Sequence, residues 1–461
     1  MTKDMTVGKP MGHILSFAVP LIFGNLFQQM YNMADTIIVG KAIGLDALTA
    51  VGATNSVNFL IIGFTLGTCS GLAIPVAQKF GARDYQKMRS FVANAAYLAI
   101  AMAAILTLAT TLLCGQILRW MNTPSSIYQQ AYDYFLIICL GIPFTFLYNT
   151  TSGIIRSLGD SKTPFYFLVL STILNIGLDL LFIIVFNMGV SGAALATILA
   201  QGVSGVICFT YMKKKFDILH LEKENRRVDG HLMRILFTNS VPMGLQFSVT
   251  AIGSIMMQSA VNGLDVVYVS AFAAATKVKQ LAMCPYDAIA SACATFGGQN
   301  LGAGKVDRIK KGLLNGIFIA LVYSVLIGIV LITSGSKIAW LFVDRSEVQV
   351  LDAVQQFLTI SGFFYWLLAI LNCVRMTIQG LGYSAVSILA GLSELAARGL
   401  MSIFVIPAMG YLAVCFTDQV AWLAATIIVI VVFTVIIRKL ARRHAEPENT
   451  EQIQTVEVSE K

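Results

Sequence analysis

Apolar residues run along this chain in stretches of helical length, separated by short polar joints. The stretches lie at roughly 14–40, 48–79, 90–118, 128–155, 164–186, 189–211, 232–261, 266–297, 312–342, 353–378, 384–407 and 411–437. Each is long enough for a helix to cross a hydrocarbon layer, which takes about 20 residues. No ten-residue segments alternate in polarity as the strands of an outer-membrane barrel do. The pattern predicts an all-α integral membrane protein with twelve transmembrane helices.

The pattern is also written twice. "AVP" ending at Pro20 returns as "SVP" ending at Pro242, and "QKFGA" from Gln78 returns as "QNLGA" from Gln299. "RSLG" ending at Gly159 matches "QGLG" ending at Gly382, and "MG" at Met188 returns at Met409. Four matches in order, at separations of 221 to 223 residues, point to an internal duplication. Six helices per copy give a parallel repeat, a plan used by transporters that rock two halves about a central site. The expected division is an amino-terminal six-helix lobe over 1–212, a cytoplasmic linker over 213–231 and a carboxy-terminal lobe over 232–440. The polar tail, 441–461, reads as disordered.

Composition agrees: 57% of residues are hydrophobic and 12% charged, against about a quarter charged in soluble domains. Basic residues cluster after the second segment (Lys79, Arg83, Lys87, Arg89), between the sixth and seventh, after the eighth (Lys305, Arg308, Lys310, Lys311) and after the twelfth. The positive-inside rule then places both termini in the cytoplasm of a bacterial-type plasma membrane. The net charge of +8 is a topology signal, and no soluble domain remains to bind nucleic acid. The first apolar stretch is too long for a signal peptide and is expected to be the first span. The eight cysteines fall inside spans without a C-x-x-C pair, so core packing is their default role.

Polar residues inside the spans carry the functional signal. Asn25, Gln28, Asn32 and Asp35 form one stripe along the first segment. Ser171, Asn175 and Asp179 repeat every four residues on the fifth, as Thr197 and Gln201 do on the sixth. At 1.5 Å per residue, Asp35 lies ~8 Å inside the outer end of its segment, Asp179 ~10 Å and Thr197 ~12 Å. Three helices of one lobe thus bring polar groups to one level. A lone ionised Asp within a span costs about 2.5–3.5 kcal/mol on insertion scales, and such residues tend to mark ion pathways. Two facing carboxylates can share a proton or surround Na⁺, with Asn175 and Thr197 adding neutral oxygens. The plainer alternative is that these side chains only lock the bundle.

In the second lobe, Glu394 and Arg398 have the spacing and order of an intrahelical ion pair. Lys277 and Lys279 are expected to snorkel toward the outer surface. Asp287, just after Pro285, is either a cavity-lining group or a structural one. Asp418 matches Thr197 at the 221-residue shift and is either a polar anchor or interfacial. Pro20 and Pro242 occupy matched places, where a proline favours a bend. Pro20 is the candidate hinge.

"VPLIFGNLFQQMYNMADTIIVGKAIGLDALTAVG", "GIIRSLGDSKTPFYFLVLSTILNIGLDLLFI", "GVSGAALATILAQ" and "GGQNLGAG" together resemble the multidrug and toxic compound extrusion (MATE) family over nearly the whole chain. The resemblance implies a V-shaped transporter of two six-helix lobes, with no enzymatic activity and no cofactor. Such transporters export organic cations and amphipathic compounds against H⁺ or Na⁺. It further implies a cation-coupling site at Asp35, Asn175, Asp179 and Thr197, the only place where Na⁺ is expected, and a bend at Pro20. The substrate cavity is expected at Gln28, Tyr31, Asn32 and Gln201, with Asp287, Glu394 and Arg398 from the second lobe. The seventh and tenth segments, "PMGLQFSVTAIGSIMMQ" and "ISGFFYWLLAILNCVRM", lack the acids of the NorM-like branch, so the chain looks closer to the DinF-like one. Its expected partners are small cationic or amphipathic molecules and the bilayer, with the chain acting as a monomer. The alternative is a flippase for lipid-linked or oligosaccharide precursors, which would call for a strongly cationic cavity. An enzyme is disfavoured: there is no histidine cluster, nucleophile elbow or phosphate-binding loop.

Overall fold

The computed structural model describes residues 2–445, without the side chains of 45 and 443–445. Of the tail expected to be disordered over 441–461, residues 441–445 continue the last helix, and those beyond 445 lie outside the described residues. The first lobe is built from α1 (Pro10–Ala42), α2 (Leu45–Gly81), α3 (Tyr85–Trp120), α4 (Tyr128–Leu140), α5 (Ile142–Ser157), α6 (Lys162–Asp179) and α7 (Gly189–Lys215). The second comprises α8 (Gly230–Asn262), α9 (Val266–Gly302), α10 (Val306–Ala339), α11 (Val348–Gly380), α12 (Ser384–Leu400), the single turn α13 (Ile406–Met409) and α14 (Tyr411–Ala445).

Among the described residues, ten helices are long and apolar enough to cross a membrane, or eleven if α4 and α5 count as one bent span. α9 is as long as any of them but is not among the ten. Lys277, Lys279 and Asp287 dilute its apolar character, and buried side chains rather than lipid line much of it.

Three expected helices are interrupted. The stretch drawn at 128–155 bends by 42° between α4 and α5. Pro143, at the start of α5, lacks the N–H and crowds the carbonyl one turn earlier. The stretches at 164–186 and 384–407 both pass into a π-helical turn, at Leu180–Val185 and Met401–Val405. The two turns start 221 residues apart, so the wider winding belongs to both copies of the repeat. π-turns commonly mark functional places within helices. α1 and α8, by contrast, run uninterrupted through Pro20 and Pro242.

One apolar core joins α2–α5 and α7 around Leu72, Phe91, Phe146, Ile155 and Cys208. The other joins α9–α14 around Phe296, Phe357, Tyr365 and Trp422. The starts of α1 and α8 cross over. Ile14, Phe17 and Leu21 pack into the second-lobe core, and Leu236 packs into the first-lobe core. α1 therefore begins against one lobe and ends in the other, with Pro20 at the passage.

The repeated "QKFGA/QNLGA" motifs interlock at the end of the molecule that carries most of the basic residues. A Cβ added to Gly81 would lie 1.9 Å from the Gln299 carbonyl oxygen, and one on Gly302 would lie 1.8 Å from that of Gln78. Each glycine admits the backbone of the other repeat, so the contact is self-complementary. Residues 3–8 are threaded beside this seam. The Lys3 amide donates to the Leu158 carbonyl at 2.8 Å, and the Met5 amide to Gln299 Oε1 at 2.9 Å. Lys305 Nζ and Arg308 donate to the carbonyls of Thr6 and Met5 at 2.9 and 3.0 Å. The connection at 213–231 is likewise strapped down: Asn225 is buried and donates to the Gln86 carbonyl, and Arg89 pairs with Glu222 at 3.0 Å.

Candidate cation site and lobe cavity

α1 and α6 bring Asp35 and Asp179 together. The two carboxyl groups face each other within hydrogen-bonding reach. Asp179 ends α6 just before the π-turn and is fully buried, and Asn175, one turn earlier, is 2% exposed. Thr197 on α7 closes the group: its hydroxyl bonds Tyr31 at 3.1 Å and accepts from Asn175 Nδ2 at 3.5 Å. Among the described residues no protein donor reaches Asp35 Oδ1, Asp179 Oδ1 or Oδ2, or Asn175 Oδ1. Four buried acceptor oxygens without donors are costly unless a proton or a cation is supplied. Two carboxylates, an amide oxygen and a hydroxyl are also hard oxygen donors, the type that alkali and alkaline-earth cations take. Among the described residues no group of three His, Cys, Asp or Glu side chains is arranged to hold a metal ion.

A cavity of about 100 Å³ opens beside this cluster and runs down α6. Asn25, Gln28 and Tyr31 line it from α1, Ser171 and Asn175 from α6, and Thr197 and Gln201 from α7. That volume admits several waters, since one needs about 10–15 Å³. It is smaller than the roughly 300 Å³ of a drug-sized pocket. Asn32 does not join it: it is exposed and donates to Gln29 at 3.3 Å. Three residues at about 100° each leave Asn32 some 60° around the helix from Asp35, and Tyr31 takes the inward place.

Sequence reasoning missed part of this lobe. Tyr134 of α4 sits in the field of both carboxylates. Tyr148, Asn149 and Arg156 of α5 line the cavity. The α5 group had a signal, since Thr145, Asn149, Ser152 and Arg156 form a stripe at helical spacing. Tyr134 had none.

The second-lobe candidates lie elsewhere. Asp287, Glu394 and Arg398 do not line this cavity. They belong to a buried chain of alternating charge across α9, α11, α12 and α14. Asn372 donates to Asp287 at 3.3 Å and accepts from Arg375 at 2.6 Å. Arg375 pairs with Glu394 at 2.8 Å, Glu394 with Arg398 at 3.6 Å, and Arg398 with Asp418 at 3.1 Å. Lys279 closes the chain on Asp418. The expected snorkelling of Lys279 is therefore corrected: it turns inward, over the rings of Phe357 and Trp422 at 5.9 Å each. Asp418 is 3% exposed, so it is an anchor rather than an interfacial group. Lys277 is exposed and lines a shallow groove with Glu347.

The repeat relates the two sites. Asp418 stands where Thr197 stands, and at the 223-residue shift of Gly159 and Gly382, Arg398 stands at the place of Asn175. At the 222-residue shift Gly253 replaces Tyr31, and its missing side chain makes room: a Cβ there would lie 3.2 Å from Arg398 Cδ. The second lobe fills the matched place with a cation of its own.

Residues 20–181 match the MatE family model, and 242–395 match it a second time. The chain belongs to the MATE family. Its members are transporters rather than enzymes, and the two successive matches fall on the two repeats. The probable multidrug resistance protein YoeA of Bacillus subtilis is 27% identical over 373 residues, covering 79% of this chain and 80% of that protein. The DNA damage-inducible protein F of Escherichia coli is 25% identical over 344 residues, 72% of each chain. An outward-facing multidrug resistance MATE transporter superposes with a TM-score of 0.88 at 22% identity, over 95% of this chain and 99% of its own. The MATE fold of two six-helix lobes is thereby established, and the chain is a multi-pass membrane protein of the multidrug efflux type.

Proposed function

We propose that this MATE transporter exports organic cations and other amphipathic compounds by antiport, with Asp35 and Asp179 as the coupling carboxylates. The observation that carries the reading is the set of four donorless oxygens from Asp35, Asp179 and Asn175, buried at the junction of α1, α6 and α7. H⁺ or Na⁺ entering from outside satisfies them. Without it, two adjacent carboxylates repel and favour a wider arrangement of α1 and α6. Only such a difference in ion affinity between two states can drive exchange. Pro20 lies where α1 passes from one lobe to the other, which suits it as the hinge.

The basic end is assigned to the cytoplasm, so the interlocked glycines and residues 3–8 close the inner side of an outward-facing state. The lobes at 1–212 and 232–440 move about that seam in a plasma membrane, each chain acting alone. Coupling confined to the first lobe fits a DinF-like transporter: α8 has no carboxylate, and α11 has only Asp352, exposed near its start. The built-in Arg398 explains why the second lobe needs no external ion.

Reconstituted protein is expected to expel ethidium from loaded vesicles when a pH or Na⁺ gradient is imposed separately. Efflux that persists unchanged with both gradients collapsed would refute antiport.

A further inference from the structure

We infer that Arg156 is the anion-recognition residue of the first-lobe cavity, receiving a carboxylate or phosphate borne by an amphipathic substrate. The inference rests on the proposed function, in that substrate enters this cavity once α1 and α6 part and widen it beyond its present volume of about 100 Å³. Arg156 stands in the last turn of α5 and lines the cavity together with Tyr148, Asn149 and Pro164. The cavity reaches from there to Asn175 and Thr197. Pro164 and Asn175 are eleven residues apart along α6, ~16 Å at helical rise. The cavity therefore has a neutral polar end at Asn175 and Thr197, one helical turn from Asp179, and a cationic end at Arg156.

What sets Arg156 apart is its lack of a counter-ion. Lys279, Arg375 and Arg398, the inward-turned cations of the second lobe, each hold a carboxylate. Among the described residues no acid pairs with Arg156 and no protein acceptor bonds its guanidinium. The groups acting on it are the Tyr148 hydroxyl and the thiols of Cys69 and Cys208, all uncharged. The Tyr148 hydroxyl is committed to the Pro164 carbonyl at 3.1 Å. A guanidinium keeps its charge and presents five donors in a planar fork that fits carboxylate or phosphate. A cation held in a span without a partner is expensive, and such residues face a cavity rather than lipid. The apolar body of a ligand whose acidic head reaches Arg156 lies against Phe165 and Leu168, which line the same wall. The preferred substrates are then zwitterionic amphiphiles, with the positive group toward Asp179.

Rhodamine 110 and rhodamine 123 test this, because the second is the methyl ester of the first and differs only in lacking the free carboxylate. Equilibrium binding of each dye to the full chain in detergent is measured for the native protein, Arg156→Gln and Arg156→Lys. Arg156→Gln is expected to lower the preference for rhodamine 110 over rhodamine 123 about tenfold or more, the loss of a charge-assisted hydrogen bond. Arg156→Lys, which keeps the charge and loses the fork, falls between. A dissociation constant does not depend on the folded fraction, so partial misfolding does not disguise the ratio. Equal changes for both dyes, or none for either, would overturn the assignment. If the native chain binds neither dye, the substrate-cavity reading fails and takes this inference with it. If the Arg156 dependence vanishes in phosphatidylglycerol nanodiscs, lipid head groups hold the guanidinium, which also overturns the substrate assignment.

Discussion

Asp179 is buried completely, yet among the described residues neither of its oxygens has a protein donor. A residue in that state is either protonated, cation-bound or strained, and the first two make it a switch. Asp179→Asn retains the shape but cannot be charged, so it is expected to abolish gradient-driven efflux while the protein elutes at the same volume as the native chain. Thr197→Val keeps the volume and removes the hydroxyl that joins Tyr31 to Asn175. The loss of one such bond, about 1 kcal/mol, should raise the half-saturating ion concentration roughly fivefold in the same assay. That Asp35, Asp179 and Thr197 stand at one level was legible from helical rise alone. Their exact facing was not: a stripe drawn at three- and four-residue steps spans enough arc to admit Asn32, which faces outward, beside Asp35. Tyr31, one position away, is the residue that reaches Thr197.

At the level of elements, the apolar stretches located the helices because hydrocarbon length and burial demand little else of a sequence. The bend at Gly141 could have been taken from Pro143. The π-turns could not, since their extra residue is accommodated by packing and leaves no compositional mark. The second-lobe charge chain was half legible. Glu394 and Arg398 share a helix at i,i+4 spacing, but Lys279 meets Asp418 across 139 residues of chain. Arg375 escaped notice because its partner is on another helix. The chain contains three acids and three bases, so its removal in neutral pairs should be milder than removal of one member. Arg398→Leu is expected to destabilise the protein by about 3–5 kcal/mol, because Glu394 and Asp418 stay buried with too little compensation. Adding Glu394→Gln should cost less than the sum of the two single changes. Thermal unfolding in detergent measures both.

At the scale of the molecule, the two copies meet through backbone placed where glycine allows it. Gly302→Ala puts a Cβ into the Gln78 carbonyl, so the seam at the basic end must part. Deleting residues 3–8 removes the thread that ties Leu158 to Gln299, Lys305 and Arg308. Both changes should expose the seam: a Ser157→Cys reporter, buried in the native protein, is expected to react with a water-soluble maleimide several times faster in either background. The eight native cysteines are buried and give a low background. The duplication made the two-lobe plan legible, whereas the crossing of α1 and α8 between lobes depends on contacts that no local pattern records.

In the mechanism proposed for this transporter, a cation or proton bound between Asp35 and Asp179 powers export. Ethidium efflux from proteoliposomes under a pH gradient alone, and under a Na⁺ gradient alone, tests it most directly when the native chain and Asp35→Asn are compared side by side. At least one gradient is expected to drive efflux by the native chain, and neither to drive it in Asp35→Asn. Equal gradient-driven efflux by both proteins would contradict it.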